Sequence, residues 1–232
     1  MRGLSLFQSP DGSSPAFVKA RTLLEGRVPD RVLDRIAYAC SEGDVRLKIT
    51  RGRSSKTGDF RPPQKGKPCI ITVNGNMNPY TGLITLVHEL AHYQVYRGKH
   101  LAMNPFKKFR RYSPHGREWK ETFRLLMFEY MTETVFPADV LDALIIYMEN
   151  PTASTFANQK LMRALAKYDA PAGLVTVESL PDNTVFKTTT GRTFRKIGKK
   201  RTRYLCVCLD NRKQYLFSPI VQVVPETVSS ER

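Results

Sequence analysis

The chain has 232 residues, of which 41% are hydrophobic, so it can bury the core of one domain with an appendage or of two small domains. Its longest apolar runs, such as residues 143–148, fall far short of the roughly 20 residues that a membrane-spanning helix requires. The 37 lysines and arginines against 21 acidic residues give a formal charge of +16, which favours anionic partners, with nucleic acid as the first candidate.

The N-terminal segment is a polar leader. Pro10, Asp11 and Gly12 occur before any apolar stretch long enough for a secretion signal. We therefore expect a cytoplasmic location. In that compartment cysteines are usually reduced thiols rather than disulfides, and we expect this of the four in the chain, Cys40, Cys69, Cys206 and Cys208.

The first half of the chain is predicted to contain a helix followed by two strands. An amphipathic run after Pro29, RVLDRIAYAC, predicts a helix of about three turns. Residues 45–50 alternate polar and apolar side chains, and residues 69–73 are apolar and β-branched, so both segments predict strands. Between them, residues 51–67 are rich in Gly, Ser, Lys and Pro, a composition typical of a mobile basic loop.

Helices are predicted for the middle of the chain. Apolar residues recur at helical spacing through residues 81–97. Pro137 is a start signal for one of the later helices. Those later helices are predicted at residues 117–130, 138–149 and, more weakly, 154–167.

After Pro171 the helical patterns give way to short β-prone runs, TVFKTTT, RTFRKI, RYLCVCLD and QYLFSPIVQVV. Turn-forming residues separate these runs, so we predict a small antiparallel β module. The fold class is therefore predicted to be α+β. We expect a first domain at residues 1–170, with its core at about 28–150, and the β module at residues 171–232.

Two histidines four residues apart, His88 and His92, belong to the motif HELAH on a predicted helix. Side chains at this spacing project from nearly the same face, so both imidazoles can bind one ion at about 2.0 to 2.1 Å. Glu89 then points at the open coordination position, where it can take a proton from zinc-bound water and pass it to the leaving amine. The motif predicts a hydrolase with Glu89 as catalytic base and one catalytic Zn²⁺ as cofactor.

A catalytic zinc ion needs a third protein ligand. The sequence offers four: His100, His115, Glu118 and Glu121. The metzincin pattern HExxHxxGxxH is excluded, because Val95 and Gly98 stand where it has glycine and histidine. A downstream glutamate would make a gluzincin. We favour His115, because the short turn Ser-Pro-His-Gly precedes a predicted helix and can aim one side chain at a neighbouring helix.

The run HELAHYQVY followed by SPHGREWKETF resembles the SprT-like metallopeptidases, the family that includes Spartan. In that family HExxH is followed by His-Gly and then by an aromatic residue, the place that Trp119 holds here. The resemblance covers roughly residues 30–130. It implies a minimal zincin-like fold of helices packed on a small sheet, with Glu89 as catalytic base. The zinc ligands that it implies are His88, His92 and His115.

The same resemblance implies a biological role and a substrate-binding strand. The best-understood members act on proteins crosslinked to DNA, so it implies a peptidase in DNA repair. The strand at residues 69–73 resembles the family's edge strand, which could pair with an extended substrate backbone.

Many SprT relatives end in a zinc ribbon built from two cysteine pairs, and this chain departs from that pattern. Cys206 and Cys208 form the only close pair, so we predict no structural zinc ion in the β module. The two thiols are expected to be small buried side chains of a strand.

The β module is strongly basic between residues 187 and 203, where no acidic residue occurs. Phe186, Phe194 and Tyr204 are interleaved with the charges and could stack on bases, which favours sequence-independent contact with nucleic acid. The alternative is that the aromatic rings face a small core and the charges are solvated. The candidate nucleic-acid-binding residues are Lys187, Arg192, Arg195, Lys196, Lys199, Lys200, Arg201 and Arg203.

The sequence thus predicts a zinc metallopeptidase that hydrolyses peptide bonds with zinc-activated water, with a protein or peptide as substrate. Proteins associated with DNA are the substrates that the charge and the resemblance suggest. The alternative is a non-catalytic nucleic-acid-binding protein whose zinc site is structural or vestigial. A membrane partner is not expected.

Overall fold

The computed structural model describes residues 14–42, 45–51, 56–64, 66–101, 113–153, 158–169 and 174–226, without the side chains of residues 99–101. The chain divides into two compact units between Leu165 and Ala166. The described residues form six α-helices and two β-sheets, so the fold class is α+β. None of these helices is long and apolar enough to cross a membrane.

The first helix, α1 (Pro15–Leu24), lies in the segment that the sequence analysis treated as part of a polar leader. Ser14 caps it, because its Oγ accepts a hydrogen bond from the backbone N–H of Phe17 at 3.1 Å. Pro15 then occupies the first helical turn, where a missing N–H costs nothing. The helix buries Phe17, Ala20 and Leu24, but the apolar Val18 is exposed on another face. Its apolar residues therefore do not follow a clear helical period, and the sequence did not predict it.

The sheet of the first unit has the strand order β1-β3-β2. A 3-10 turn (Asp30–Val32) and α2 (Leu33–Ser41) precede it. Strand β1 (Val45–Thr50) runs parallel to β3 (Cys69–Asn74), and both confirm the sequence prediction. Strand β2 (Gly58–Arg61) pairs antiparallel with the other side of β3.

Two expectations about this sheet are wrong. The segment 51–67 is not only a loop, since it contains β2. Strand β3 is the central strand and not an edge strand, so β1 and β2 form the edges of the sheet. Strand β2 has only four residues, and its pairing partner follows eight residues later, so no local pattern distinguished it from a loop.

Four further helices complete the first unit: α3 (Pro79–Leu101), α4 (Arg117–Phe128), α5 (Ala138–Glu149) and α6 (Gln159–Ala166). The predicted helices are therefore confirmed, and α3 continues through Gly98 beyond its predicted end. The side chain of Asn78 caps α3 by accepting a hydrogen bond from Thr81 N–H at 2.9 Å. Helix α3 contacts β2 and β3 on one side and α4 on another, which places the middle of α3 in the core.

Gly82 lies where the backbone of α3 meets the loop that follows α1. A Cβ at Gly82 would lie 2.0 Å from the carbonyl oxygen of Arg27. We expect Gly82→Ala to lower the free energy of unfolding by about 1 to 3 kcal/mol, measured by urea denaturation, because the backbone must move apart. Gly98 in the same helix has nothing within 4 Å of such a Cβ, so Gly98→Ala should raise stability by about 1 kcal/mol. If both substitutions changed the free energy of unfolding by the same amount, the close approach of Gly82 to the backbone of Arg27 would be contradicted.

The second unit is a six-stranded sheet in the order β4-β9-β5-β6-β7-β8, in which every neighbouring pair is antiparallel. This agrees with the antiparallel β module predicted from the sequence. Its core contains Phe186, Phe194 and Val223 together with Cys206 and Cys208, the predicted buried thiols. The strands are β4 (Val175–Thr176), β5 (Val185–Thr188), β6 (Thr193–Lys200), β7 (Arg203–Cys208), β8 (Gln214–Phe217) and β9 (Gln222–Pro225).

Candidate metal centre

Two elements of the first unit supply three histidines to one place. His88 and His92 lie one turn apart on α3, and both are buried. His115 lies in the turn before α4 and is half-buried. That turn is closed by a hydrogen bond from Gly116 N–H to the carbonyl oxygen of Ser113 at 3.1 Å, which directs the imidazole of His115 towards α3.

The three Nε2 atoms form a nearly equilateral triangle. The distance from His88 Nε2 to His92 Nε2 is 3.3 Å, and the distances from His115 Nε2 are 3.1 Å to His92 and 3.3 Å to His88. Zinc–nitrogen bonds of about 2.0 to 2.1 Å at tetrahedral angles place their nitrogens about 3.3 to 3.4 Å apart. The triangle therefore has the size of one face of a tetrahedral coordination sphere.

Hydrogen bonding alone cannot satisfy this triangle. In a neutral imidazole, Nε2 either carries a proton and donates or has a lone pair and accepts. Among three mutually close nitrogens at least two must have the same role, so at least one pair is donor facing donor or acceptor facing acceptor. A cation bound by three lone pairs satisfies all three nitrogens at once. The buried cluster of His88, His92 and His115 can thus hold a metal ion.

The electrostatics of the cluster favour neutral imidazoles. Burial, followed by the neighbouring imidazoles, lowers the pKa of His88 to about 3. Burial and His115 lower the pKa of His92 to about 4, against a smaller opposing effect of Asp59. Burial also lowers the pKa of His115. Since only a neutral imidazole can bind a metal ion, all three side chains are in the ligating form at neutral pH.

These pKa shifts predict that the metal-free protein loses stability as the pH falls. Above about pH 6.5 the histidines are neutral in both states. Below it the unfolded chain takes up protons that folded His88 and His92 do not, so at pH 5 each costs on the order of 2 kcal/mol of unfolding free energy. Urea denaturation of chelator-treated protein at pH 7 and pH 5 measures this loss. His88→Gln should reduce the pH dependence, and an unchanged dependence would contradict the assignment.

Trp119, in the first turn of α4, packs against all three clustered histidines. It is fully buried, and its ring centroid lies 4.6 Å from that of His88, 5.3 Å from that of His92 and 4.8 Å from that of His115. Its Nε1–H donates a hydrogen bond to the carbonyl oxygen of His88 at 3.4 Å. Such neighbours orient the ligands of a metal site. As the only tryptophan of the chain, Trp119 is also a fluorescent reporter of this site.

Strand β2 lies against the HELAH segment of α3. A Cβ at Gly58 would lie 2.7 Å from Glu89 Oε1, so the absence of a side chain lets the strand approach the buried carboxylate. The ring of Phe60 is nearly parallel to that of His92, with an interplanar angle of 7° and centroids 6.4 Å apart. Sequence reasoning missed both residues because it assigned them to a loop. The only available signal was the short run GDFR ending at two prolines.

The other ligand candidates do not join the histidine cluster. Glu118 and Glu121 are exposed on α4, and Glu121 accepts a hydrogen bond from Arg117 Nε at 2.7 Å. The side chain of His100 lies outside the described residues. Among the candidates whose side chains are described, the structure therefore brings only His115 to His88 and His92.

The eight candidate nucleic-acid-binding residues differ in exposure. Lys196 is buried, and its Nζ donates to the carbonyl oxygen of Leu180 and lies 4.2 Å from the ring centroid of Tyr204. Arg192 is half-buried and donates to the hydroxyl oxygen of Tyr215 at 3.1 Å. The six exposed members are Lys187, Arg195, Lys199, Lys200, Arg201 and Arg203.

The aromatic residues among these charges do not form an exposed stacking surface. Phe186 and Phe194 are buried in the core of the second unit, where their rings stack on each other with centroids 5.9 Å apart. Tyr204 is half-buried and packs on that core. The expectation that these rings are available to bases is wrong for both phenylalanines, because the alternation of the strands turns them inward.

Comparison with known proteins gives no further guide to this site. No protein family, no curated protein and no solved structure matches the chain.

Proposed function

We propose that the chain is a zinc metallopeptidase with a zincin-like catalytic domain of the SprT type. The observation that supports this most strongly is the triangle of Nε2 atoms, which occurs in a chain whose buried Glu89 directly follows His88 on α3. Three histidine ligands leave one position of a tetrahedral zinc site for water or substrate, as catalytic sites require and structural sites do not.

The proposed site consists of metal ligands, a catalytic base, and residues that pack against them. When bound, the zinc ion supplies a Lewis acid for the scissile carbonyl and lowers the pKa of the attacking water. Glu89 accepts the proton of that water and delivers it to the leaving amine. Trp119 and Phe60 hold the imidazoles in place, and Gly58 leaves room for the carboxylate of Glu89.

An extended polypeptide is the substrate class that best fits this site. Strand β2 is an edge of the sheet and lies next to both Glu89 and His92. An edge strand has backbone N–H and C=O groups that can pair with a further strand. The edge that we assign to the substrate is therefore β2, in place of the strand at residues 69–73 suggested by the sequence.

DNA-associated substrates remain a prediction from charge and from the SprT resemblance. The alternative, a nucleic-acid-binding protein without catalysis, is supported by the six exposed basic residues of the second unit. The two proposals differ in an observable way, since the alternative requires no hydrolysis and expects salt-sensitive nucleic-acid binding that survives loss of Glu89.

Metal removal tests the proposed peptidase. We expect the full chain to cleave an unfolded protein such as casein, to lose this activity after dialysis against a chelator, and to regain it with Zn²⁺ but not with Mg²⁺, which prefers oxygen ligands. Trp119 fluorescence should follow the same metal titration. Cleavage that persists in the chelated protein would contradict the proposal, and so would the absence of cleavage by protein that contains one zinc ion per chain.

A further inference from the structure

The sheet of the second unit has a buried face and an exposed face. Along β6 the side chains of Phe194 and Lys196 point into the core, so those of Arg195 and Ile197 lie on the opposite side. The same alternation holds along β7, where Cys206 and Cys208 are buried. We call the opposite side the outer face.

The outer face carries several exposed aliphatic side chains. Ile197, Leu216 and Val224 on it are 42%, 48% and 45% exposed. The strand register brings further aliphatic side chains next to them. Val185 and Val207 flank Arg195 in one cross-strand row, and Leu205 pairs with Leu216 in the next row. The aliphatic side chains of the outer face are Val185, Ile197, Leu205, Val207, Leu216 and Val224.

Positive charges lie within this apolar surface. Arg195 stands between Val185 and Val207, and Lys187 pairs with Val224. Among the residues that the structure describes, no acidic side chain forms an ion pair with Arg195 or Lys187. Residues 174–226 contain ten lysines and arginines against four acidic residues, so the surroundings are basic as well.

We propose that the outer face binds an acidic amphipathic segment of a partner protein. Contiguous exposed aliphatic side chains gain free energy when they are covered by apolar groups of a partner. Unpaired cations inside such a surface are stabilised by carboxylates and select against basic partners. Alternating leucine-like and acidic side chains on one segment meet both requirements. This inference does not depend on the proposed peptidase activity.

Two other occupants fit the outer face less well. Nucleic acid is bound through phosphate contacts and through stacking on aromatic rings, yet the aliphatic side chains of this face offer no stacking platform, and Phe186 and Phe194 are in the core. A second copy of the chain, docked symmetrically by the same surface, would bring Arg195 and Lys187 towards their own equivalents in a net basic environment.

Fluorescence anisotropy with the full-length protein tests the proposal. The probes are labelled peptides of about 20 residues, with Leu and Glu arranged at helical spacing in one and in strict alternation in the other. The controls are the same compositions scrambled, versions with Lys for Glu, and single-stranded and duplex DNA of similar length. We expect at least one acidic amphipathic peptide to bind at least about tenfold more tightly than its scrambled and lysine controls.

Substitutions on the outer face locate the binding site. Leu216→Glu and Arg195→Glu should each weaken peptide binding by about tenfold or more, with unchanged circular dichroism and melting temperature. Leu125, an exposed leucine on α4 in the first unit, provides the control, and Leu125→Glu should leave binding unchanged. Failure of both acidic peptides to bind would overturn the proposal. Tighter binding of DNA that is lost in Leu216→Glu, or dimerisation that is lost in it, would also overturn it.

Discussion

Glu89→Gln is expected to lower the rate of peptide hydrolysis by about 10² to 10⁴, the usual contribution of a general acid–base group. The substitution keeps the size of a side chain that is buried next to Gly58, so the fold should be retained. The amide cannot accept a proton from water at neutral pH. Zinc content should stay at the wild-type value, because Glu89 is not one of the three clustered ligands.

Steady-state cleavage of an unfolded protein, with zinc measured in the same samples, checks this result. Glu118→Gln is the matched control, since Glu118 is an exposed glutamate on α4 outside the histidine cluster. It should behave as wild type. Wild-type cleavage by Glu89→Gln protein would exclude the proposed base. If the wild-type and Glu89→Gln proteins both bind nucleic acid and neither cleaves any substrate, the non-catalytic alternative is the better account.

His115→Ala should weaken zinc binding by a factor of at least about 10², and activity should be lost with the metal. Structural zinc sites with four ligands bind with roughly 10 to 16 kcal/mol, so one ligand contributes on the order of 3 kcal/mol. His115 lies in a turn and is only half-buried, so its truncation should disturb the core less than loss of His88 or His92. The effect should therefore fall on the metal and not on the fold.

Competition with a chromophoric chelator measures the zinc affinity, and Trp119 fluorescence follows the same titration. Glu118→Ala separates the histidine site from the gluzincin alternative. If the third ligand is His115, Glu118→Ala retains wild-type affinity. Zinc lost from Glu118→Ala protein and retained by His115→Ala protein would show that a glutamate completes the site.

The local parts of this protein could be predicted from the sequence. The spacing of His88 and His92 on one helical face follows from the period of the helix, and the continuous apolar pattern around them made that helix unambiguous. Strands β1 and β3 were equally clear, because each carries its own alternating or β-branched pattern. The turn before α4 identified His115 as the favoured ligand but could not exclude the glutamates that follow it.

The missed elements depend on contacts between segments that are distant in the sequence. Strand β2 exists because four residues pair with β3, and this pairing brought Gly58 and Phe60 to the HELAH segment of α3. The buried position of Lys196 likewise results from its strand register and from the carbonyl of Leu180, which no charge pattern reveals. The run of basic residues therefore predicted more exposed positive charge than the fold leaves at the surface.

For this protein, the sequence alone determined the chemistry of the candidate site: two histidines and a glutamate on one helix, in a basic α+β chain. The tertiary structure decided which third residue joins them and which strand borders the site. It also decided which of the basic and aromatic residues remain exposed. The physical reason is that helical periodicity acts over a few residues. Convergence of three imidazoles, strand order and burial depend on packing between segments whose relative positions no local pattern encodes.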